Sequence, residues 1–169
     1  MRKLMVLATL LTIAFAAESQ IGSFTVSITT DELTDEKVIL AFTKAISYPD
    51  AANDAALILR CVRDAFDIYI YADEFLNIDD EVPAQYKIDG VLVKDPTTFT
   101  PSTDGTAAFA FAPKAFLVDL VNGDDSDMVI RLWDYQGTPY TYKFRLEGLM
   151  DVLRLMQPSC ISEIPTPKW

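Results

Sequence analysis

Residues 57–76 read LILRCVRDAFDIYIYADEFL, and this stretch decides the fold. Its two arms are rich in β-branched and aromatic side chains, which favour strands over the alternative interpretation, a single helix. Strand side chains alternate between faces, so Leu57 and Leu59 share one face of the first arm, and Ile68 and Ile70 share one face of the second. The stretch therefore predicts a β-hairpin with a polar turn between its arms.

Hydrophobic patterning extends this interpretation to the rest of the chain. Further strands are predicted at residues 24–30, 36–45 and 107–111, with hairpins at 85–93 and 128–146 and a loop at 95–106. The 85–93 hairpin turns at Asp-Gly, the pair that a type I′ turn prefers. One helix is inserted after Pro113, and a second ends at Pro158. The predicted fold class is mainly β (α+β), with antiparallel hairpins forming a small sandwich or barrel.

The first residues are typical of a secretory signal peptide. Arg2 and Lys3 precede an apolar run, and Ala-Phe-Ala at 14–16 supplies a small-residue cleavage site. The predicted organisation is a signal peptide over residues 1–16, one β-rich domain over 17–160 and a flexible tail over 161–169. The predicted location is periplasmic or secreted, with no membrane span after signal removal. An uncleaved membrane anchor is the alternative.

Charge limits the classes of partner. The chain has 14 basic and 25 acidic residues, a formal charge of −11, which becomes −13 if Arg2 and Lys3 are removed with the signal peptide. Such acidity argues against nucleic acid and against anionic membrane surfaces, since both need lysine and arginine. It favours a cationic protein partner, or serves solubility alone.

The side chains required by most catalytic mechanisms are missing. The chain has no histidine, which excludes Ser-His-Asp and Cys-His nucleophile systems and histidine-containing zinc sites. Its six glycines form no phosphate-binding loop. We therefore predict no catalytic residue, no cofactor and no metal, and a protein that is not an enzyme. A hydrolase working with carboxylates alone is the remaining enzymatic alternative.

The two cysteines, Cys61 and Cys160, are 99 positions apart. An even number of cysteines in an exported chain predicts a disulfide between them. Two free thiols or an intermolecular bond are the alternatives.

Two acidic runs are the candidate partner-binding residues. They comprise Asp79, Asp80 and Glu81 before one predicted strand, and Asp124, Asp125 and Asp127 after the inserted helix. The alternative is that both runs are solvated turns. Four tyrosines at strand spacing either line a binding face or pack in the core: Tyr69, Tyr71, Tyr140 and Tyr142.

Several segments together resemble a known family. They are LTDE at 33–36, the LILRC hairpin, YKIDG at 86–90, STDGTAAF at 102–109 and the C-terminal helix ending at Cys160. In order and spacing they resemble the VasI-like family of exported proteins associated with type VI secretion. The resemblance implies an exported, disulfide-bonded, non-enzymatic accessory or binding protein of the bacterial envelope. The alternatives are a periplasmic inhibitor of a cationic enzyme such as lysozyme, and a phage-encoded exported protein.

Overall fold

The computed structural model describes residues 17–46, 54–123, 125–157, 159–161 and 165. The predicted signal peptide, most of the predicted tail, residues 47–53 and Pro158 lie outside this part of the chain.

Ten strands and two helices form the described fold. The strands are β1 Ala17–Ile21, β2 Phe24–Thr30, β3 Lys37–Lys44, β4 Ala56–Val62, β5 Ala65–Tyr71, β6 Val82–Ile88, β7 Val91–Pro101, β8 Ala107–Ala110, β9 Asp127–Trp133 and β10 Pro139–Arg145. The helices are α1 Pro113–Val121, inserted between β8 and β9, and α2 Leu149–Met156.

All ten strands belong to one antiparallel sheet, in the order β1-β2-β3-β4-β5-β8-β7-β6-β9-β10. The predicted mainly β fold, with one inserted and one C-terminal helix, is confirmed. Among the described strands the sheet is not closed into a barrel, which was one of the two predicted arrangements. The edge strand β10 approaches the chain just after β3, where the N–H of Ile46 donates to the carbonyl of Lys143 at 2.7 Å.

The central hairpin is β4 and β5. Leu57 lies opposite Ile70 and Leu59 opposite Ile68, as their shared faces predicted, and all four side chains are buried. One hydrophobic core extends from these strands to both helices. In α1 the buried side chains are Phe116, Leu117, Leu120 and Val121, and in α2 they are Leu149, Val152, Leu153 and Met156. This spacing of three and four residues covers one helix face, which packs on the sheet.

The strand order determines which loop crosses the sheet. Because β8 and β7 lie between β5 and β6, residues 72–81 pass the ends of two strands before the chain enters β6.

The strands β6 and β7 form the predicted hairpin around Asp89 and Gly90, whose positive φ angles of 49° and 77° suit a type I′ turn.

Two predictions about strands need correction. The predicted loop at 95–106 is wrong over its first half, since β7 extends to Pro101 and pairs with β6 and β8. There Phe99 points into the core, and Thr98 is exposed on the opposite face, so the threonine-rich run is a strand despite its prolines. The other correction is β1, which was not predicted as a strand and pairs with β2 at the edge of the sheet.

The predicted disulfide is present. Cys61 in β4 is bonded to Cys160, just after α2, with Cα atoms 5.8 Å apart. The bond attaches the C-terminal helix to the central hairpin. No helix among the described residues is long and apolar enough to span a lipid bilayer.

Candidate binding surface

Three segments meet at one end of the sheet: residues 72–81, 102–106 and 134–138. We call them together the acidic end. The backbone N–H groups of Ala72 and Leu76 donate to the carbonyls of Thr106 and Gly105, at 2.9 and 2.7 Å. The N–H of Tyr135 then donates to the carbonyl of Leu76 at 2.8 Å. These backbone hydrogen bonds and the buried Leu76 side chain fix the position of residues 72–81, which we call the crossing segment.

The acidic end has seven carboxylates and no lysine or arginine. The carboxylates are Asp73, Glu74, Asp79, Asp80, Glu81, Asp104 and Asp134. The predicted run of Asp79, Asp80 and Glu81 is exposed, and its side chains make no hydrogen bond or ion pair with any residue that the structure describes. These three charges are therefore free to attract a cation from solution.

Two other carboxylates hold the loops in shape. Asp104 accepts hydrogen bonds from the Ser102 hydroxyl at 2.5 Å and from the Thr106 N–H at 3.2 Å, and these bonds lower the pKa of Asp104. Asp134 accepts from the N–H groups of Gln136 and Thr138 at 2.8 and 2.7 Å, as an aspartate at the start of a turn commonly does.

Large apolar side chains are exposed among these charges. Phe75 is 46% exposed, Ile78 is 50% exposed and Tyr135 is 61% exposed. The rings of Phe75 and Tyr135 touch edge to face, with centroids 5.6 Å apart and planes at 79°. Exposed apolar side chains that contact each other on loops of like charge are typical of an interaction site, whereas isolated exposed apolar residues are ordinary.

The second predicted acidic run lies elsewhere. Asp79, Asp80 and Glu81 precede β6, whereas Asp125 and Asp127 lie beyond its other end, about 20 Å away for a strand of seven residues. Asp124 is outside the described residues. The carboxylate of Asp127 is paired with Lys143 at 2.6 Å and Arg145 at 3.8 Å. The two runs therefore do not form one surface, and Asp127 lies in a mixed-charge cluster.

The four tyrosines divide between core and surface. Tyr142 is fully buried, its hydroxyl donates to the carbonyl of Ala72 at 3.3 Å, and burial raises its pKa. Tyr71 is partly buried beside the acidic end and donates to Asp73 at 2.8 Å, which raises the pKa of Tyr71. Tyr140 is partly buried, and Tyr69 stacks on Phe109 on the outer face of the sheet.

Phe75 and Tyr135 were not recognised from the sequence. They are 60 positions apart, and only the crossing of residues 72–81 brings them together. The available signal was local: each follows an acidic residue, outside the alternating part of its predicted hairpin, where a large aromatic residue has no predicted core face to join.

One further cleft could bind a ligand. It has a volume of 620 Å³, lies beside the disulfide and is lined by Phe66, Leu117, Cys160 and Ile161 together with Lys114. Its lining is largely apolar, and it includes Pro165 from the tail. No group of three or more acidic or cysteine side chains within the described residues is arranged to hold a metal ion.

Comparison with known proteins supports the fold. No family model and no curated protein matches the chain. A solved structure is similar: the crystal structure of invasion associated protein B from Bartonella henselae, at a TM-score of 0.58 and 10% sequence identity, covering 85% of this chain and 97% of that chain. At this identity the likeness shows a shared fold alone. The VasI-like resemblance stays a prediction from sequence motifs.

Proposed function

We propose that this chain is an exported, non-enzymatic binding protein of the bacterial envelope, and that its acidic end captures a cationic protein partner. The observation that carries the proposal is the exposure of Phe75, Ile78 and Tyr135 on loops that hold seven carboxylates and no lysine or arginine. The internal disulfide supports an oxidising, extracytoplasmic location, because such bonds are rare in the cytosol.

The carboxylates and the apolar group have separate roles in this proposal. Seven negative charges on three adjoining loops attract a basic surface and raise the rate of encounter. The apolar side chains then supply the contact from which water is excluded, where most of the affinity of a protein interface arises. Asp79, Asp80 and Glu81 are exposed, whereas a carboxyl group that acts as a general acid is commonly buried among apolar side chains.

The candidate partners follow from this chemistry. A cationic enzyme such as lysozyme fits the charge of the acidic end, and the protein would then act as a periplasmic inhibitor. The resemblance to VasI-like proteins instead suggests a partner within a type VI secretion system. Both partners are basic proteins in this proposal, and both are bound at the same surface.

Association kinetics with lysozyme test the proposal. The test variant carries Asp79→Asn, Asp80→Asn and Glu81→Gln, which remove three exposed charges without removing a hydrogen bond to a described residue. The matched control carries Glu18→Gln, Glu32→Gln and Glu147→Gln, three exposed carboxylates outside the acidic end. At low salt we expect the test variant to associate about tenfold more slowly than the parent.

The control variant separates an effect of the acidic end from an effect of net charge on the association rate. Both variants change the net charge by the same amount, so the control is expected to stay within about twofold of the parent. Equal slowing in the two variants would mean that net charge alone matters. Association that is unaffected by salt and by both variants, or no binding of lysozyme at all, would count against the proposed partner class.

A further inference from the structure

We propose that the acidic end selects arginine over lysine, because the Phe75–Tyr135 pair receives a guanidinium group of the partner. This inference rests on the proposed function and adds the side chain that the surface recognises.

The aromatic pair is held ready for such a contact. The backbone hydrogen bond from Tyr135 to Leu76 joins the two loops that carry the rings. Phe75 also packs closely on the 102–106 loop: a Cβ added at Gly105 would lie 2.5 Å from its ring. Tyr135 remains 61% exposed, so much of its ring is open to solvent. A preorganised ring costs little conformational entropy when a ligand stacks on it.

On the outer face of the sheet, an arginine of this chain already lies against a pair of aromatic rings, which there are stacked rather than edge to face. The rings of Tyr69 and Phe109 stack with centroids 4.5 Å apart. The guanidinium carbon of Arg60 lies 5.6 Å from the Tyr69 centroid and 5.8 Å from that of Phe109. The same guanidinium donates to one carboxylate oxygen of Asp67 at 2.7 and 3.0 Å. The motif is therefore two touching rings, a carboxylate and an arginine.

The acidic end has three of these four parts. Phe75 and Tyr135 are the touching rings, and the segment that carries Phe75 also carries Asp73, Glu74 and Asp79. None of its residues is a lysine or arginine, so the cation must come from elsewhere. The geometry points to an arginine-bearing segment of the partner as the source.

Guanidinium and ammonium groups differ at such a site. The guanidinium is planar and weakly hydrated, so it stacks on a ring while its N–H groups reach carboxylates. The lysine ammonium is compact and strongly hydrated, and it loses more hydration when it approaches a ring. An acidic surface without aromatic rings would distinguish the two side chains far less.

Fluorescence polarisation with two labelled peptides tests the proposal. Hexa-arginine and hexalysine have the same length and charge, so their affinity ratio isolates the side chain. We expect the parent protein to bind hexa-arginine about five- to tenfold more tightly than hexalysine. Tyr135→Leu, which keeps an apolar side chain and removes the ring, is expected to reduce the ratio to about one to two.

The control variant is Phe111→Leu, which removes an aromatic ring that is 78% exposed but lies outside the acidic end. Its ratio is expected to match the parent's. Equal, salt-sensitive binding of both peptides by the parent would overturn the arginine preference and leave the proposed function standing. A preference that survives Tyr135→Leu would overturn the role of the aromatic pair, and failure to bind either peptide would count against both proposals.

Discussion

Breaking the Cys61–Cys160 disulfide is expected to lower the free energy of unfolding by about 4 to 5 kcal/mol. The bond joins positions 99 apart, and the chain-entropy relation gives about 4.7 kcal/mol for a loop of that size. For a domain of this length, each kcal/mol corresponds to about 2 to 4 °C in Tm, so reduction is expected to lower Tm by about 9 to 19 °C.

The burial of the two cysteines predicts a difference between their serine variants. Cys160 is partly exposed, so Cys160→Ser should cost little beyond the lost cross-link. Cys61 is fully buried in the core, so Cys61→Ser also buries a hydroxyl, at a further cost of about 1 to 3 kcal/mol. We expect the oxidised parent to be the most stable, Cys160→Ser to match the reduced parent, and Cys61→Ser to be the least stable.

Urea unfolding followed by circular dichroism, with and without reductant, measures this order. Cys160→Ser has no disulfide to lose within the chain, so reductant should leave its midpoint unchanged, which controls for other effects of the reagent. A parent midpoint that is unaffected by complete reduction would refute the entropic reasoning. Equal stability of the two serine variants would refute the argument from burial.

Two further predictions concern turns. Gly22→Ala is expected to cost about 3 kcal/mol or more, because its φ of +56° disfavours alanine and the new Cβ would lie 2.1 Å from the carbonyl oxygen of Glu147. Gly137→Ala, also at positive φ but with nothing within 4 Å, should cost only about 1 kcal/mol, and equal midpoints in urea would contradict this. The lowered pKa of Asp104 stabilises the fold above the unfolded pKa of about 4, and this stabilisation is lost as pH falls through the folded pKa. Asp104→Asn should therefore lose less stability than the parent in unfolding experiments between about pH 5 and 2.

The elements predicted from sequence share a strong local signal. The alternation in β4 and β5 and the helical spacing of apolar residues in α1 and α2 each place one face in the core, and burial confirms them. The error in β7 has a local cause, because proline and threonine are abundant in loops as well as in edge strands. The pairing of β7 with both β6 and β8 follows from the order of strands in the sheet, which the local sequence pattern does not reveal.

The candidate binding surface depends on that order as well. Asp79, Asp80 and Glu81 are exposed, which fits both a binding surface and a solvated turn, but the sequence interpretation grouped them with Asp125 and Asp127, which lie at the other end of β6. Grouping acidic runs by composition takes no account of the strand between them, which places the two runs at its opposite ends. The contact between Phe75 and Tyr135 could not be predicted from local sequence either, because it requires residues 72–81 to pass the ends of two strands.

Stability and the proposed binding depend on different atoms at the acidic end. Its position depends on backbone hydrogen bonds and on Leu76, which is fully buried, whereas the proposed contacts use side chains that point into solvent. Substituting an exposed side chain, without disturbing the backbone, changes the free energy of unfolding only slightly. The partner preference can therefore be altered without loss of the fold, and a variant that loses binding at unchanged unfolding free energy identifies the surface directly. Leu76 is the exception, because removing its buried side chain would release the crossing segment and affect both properties together.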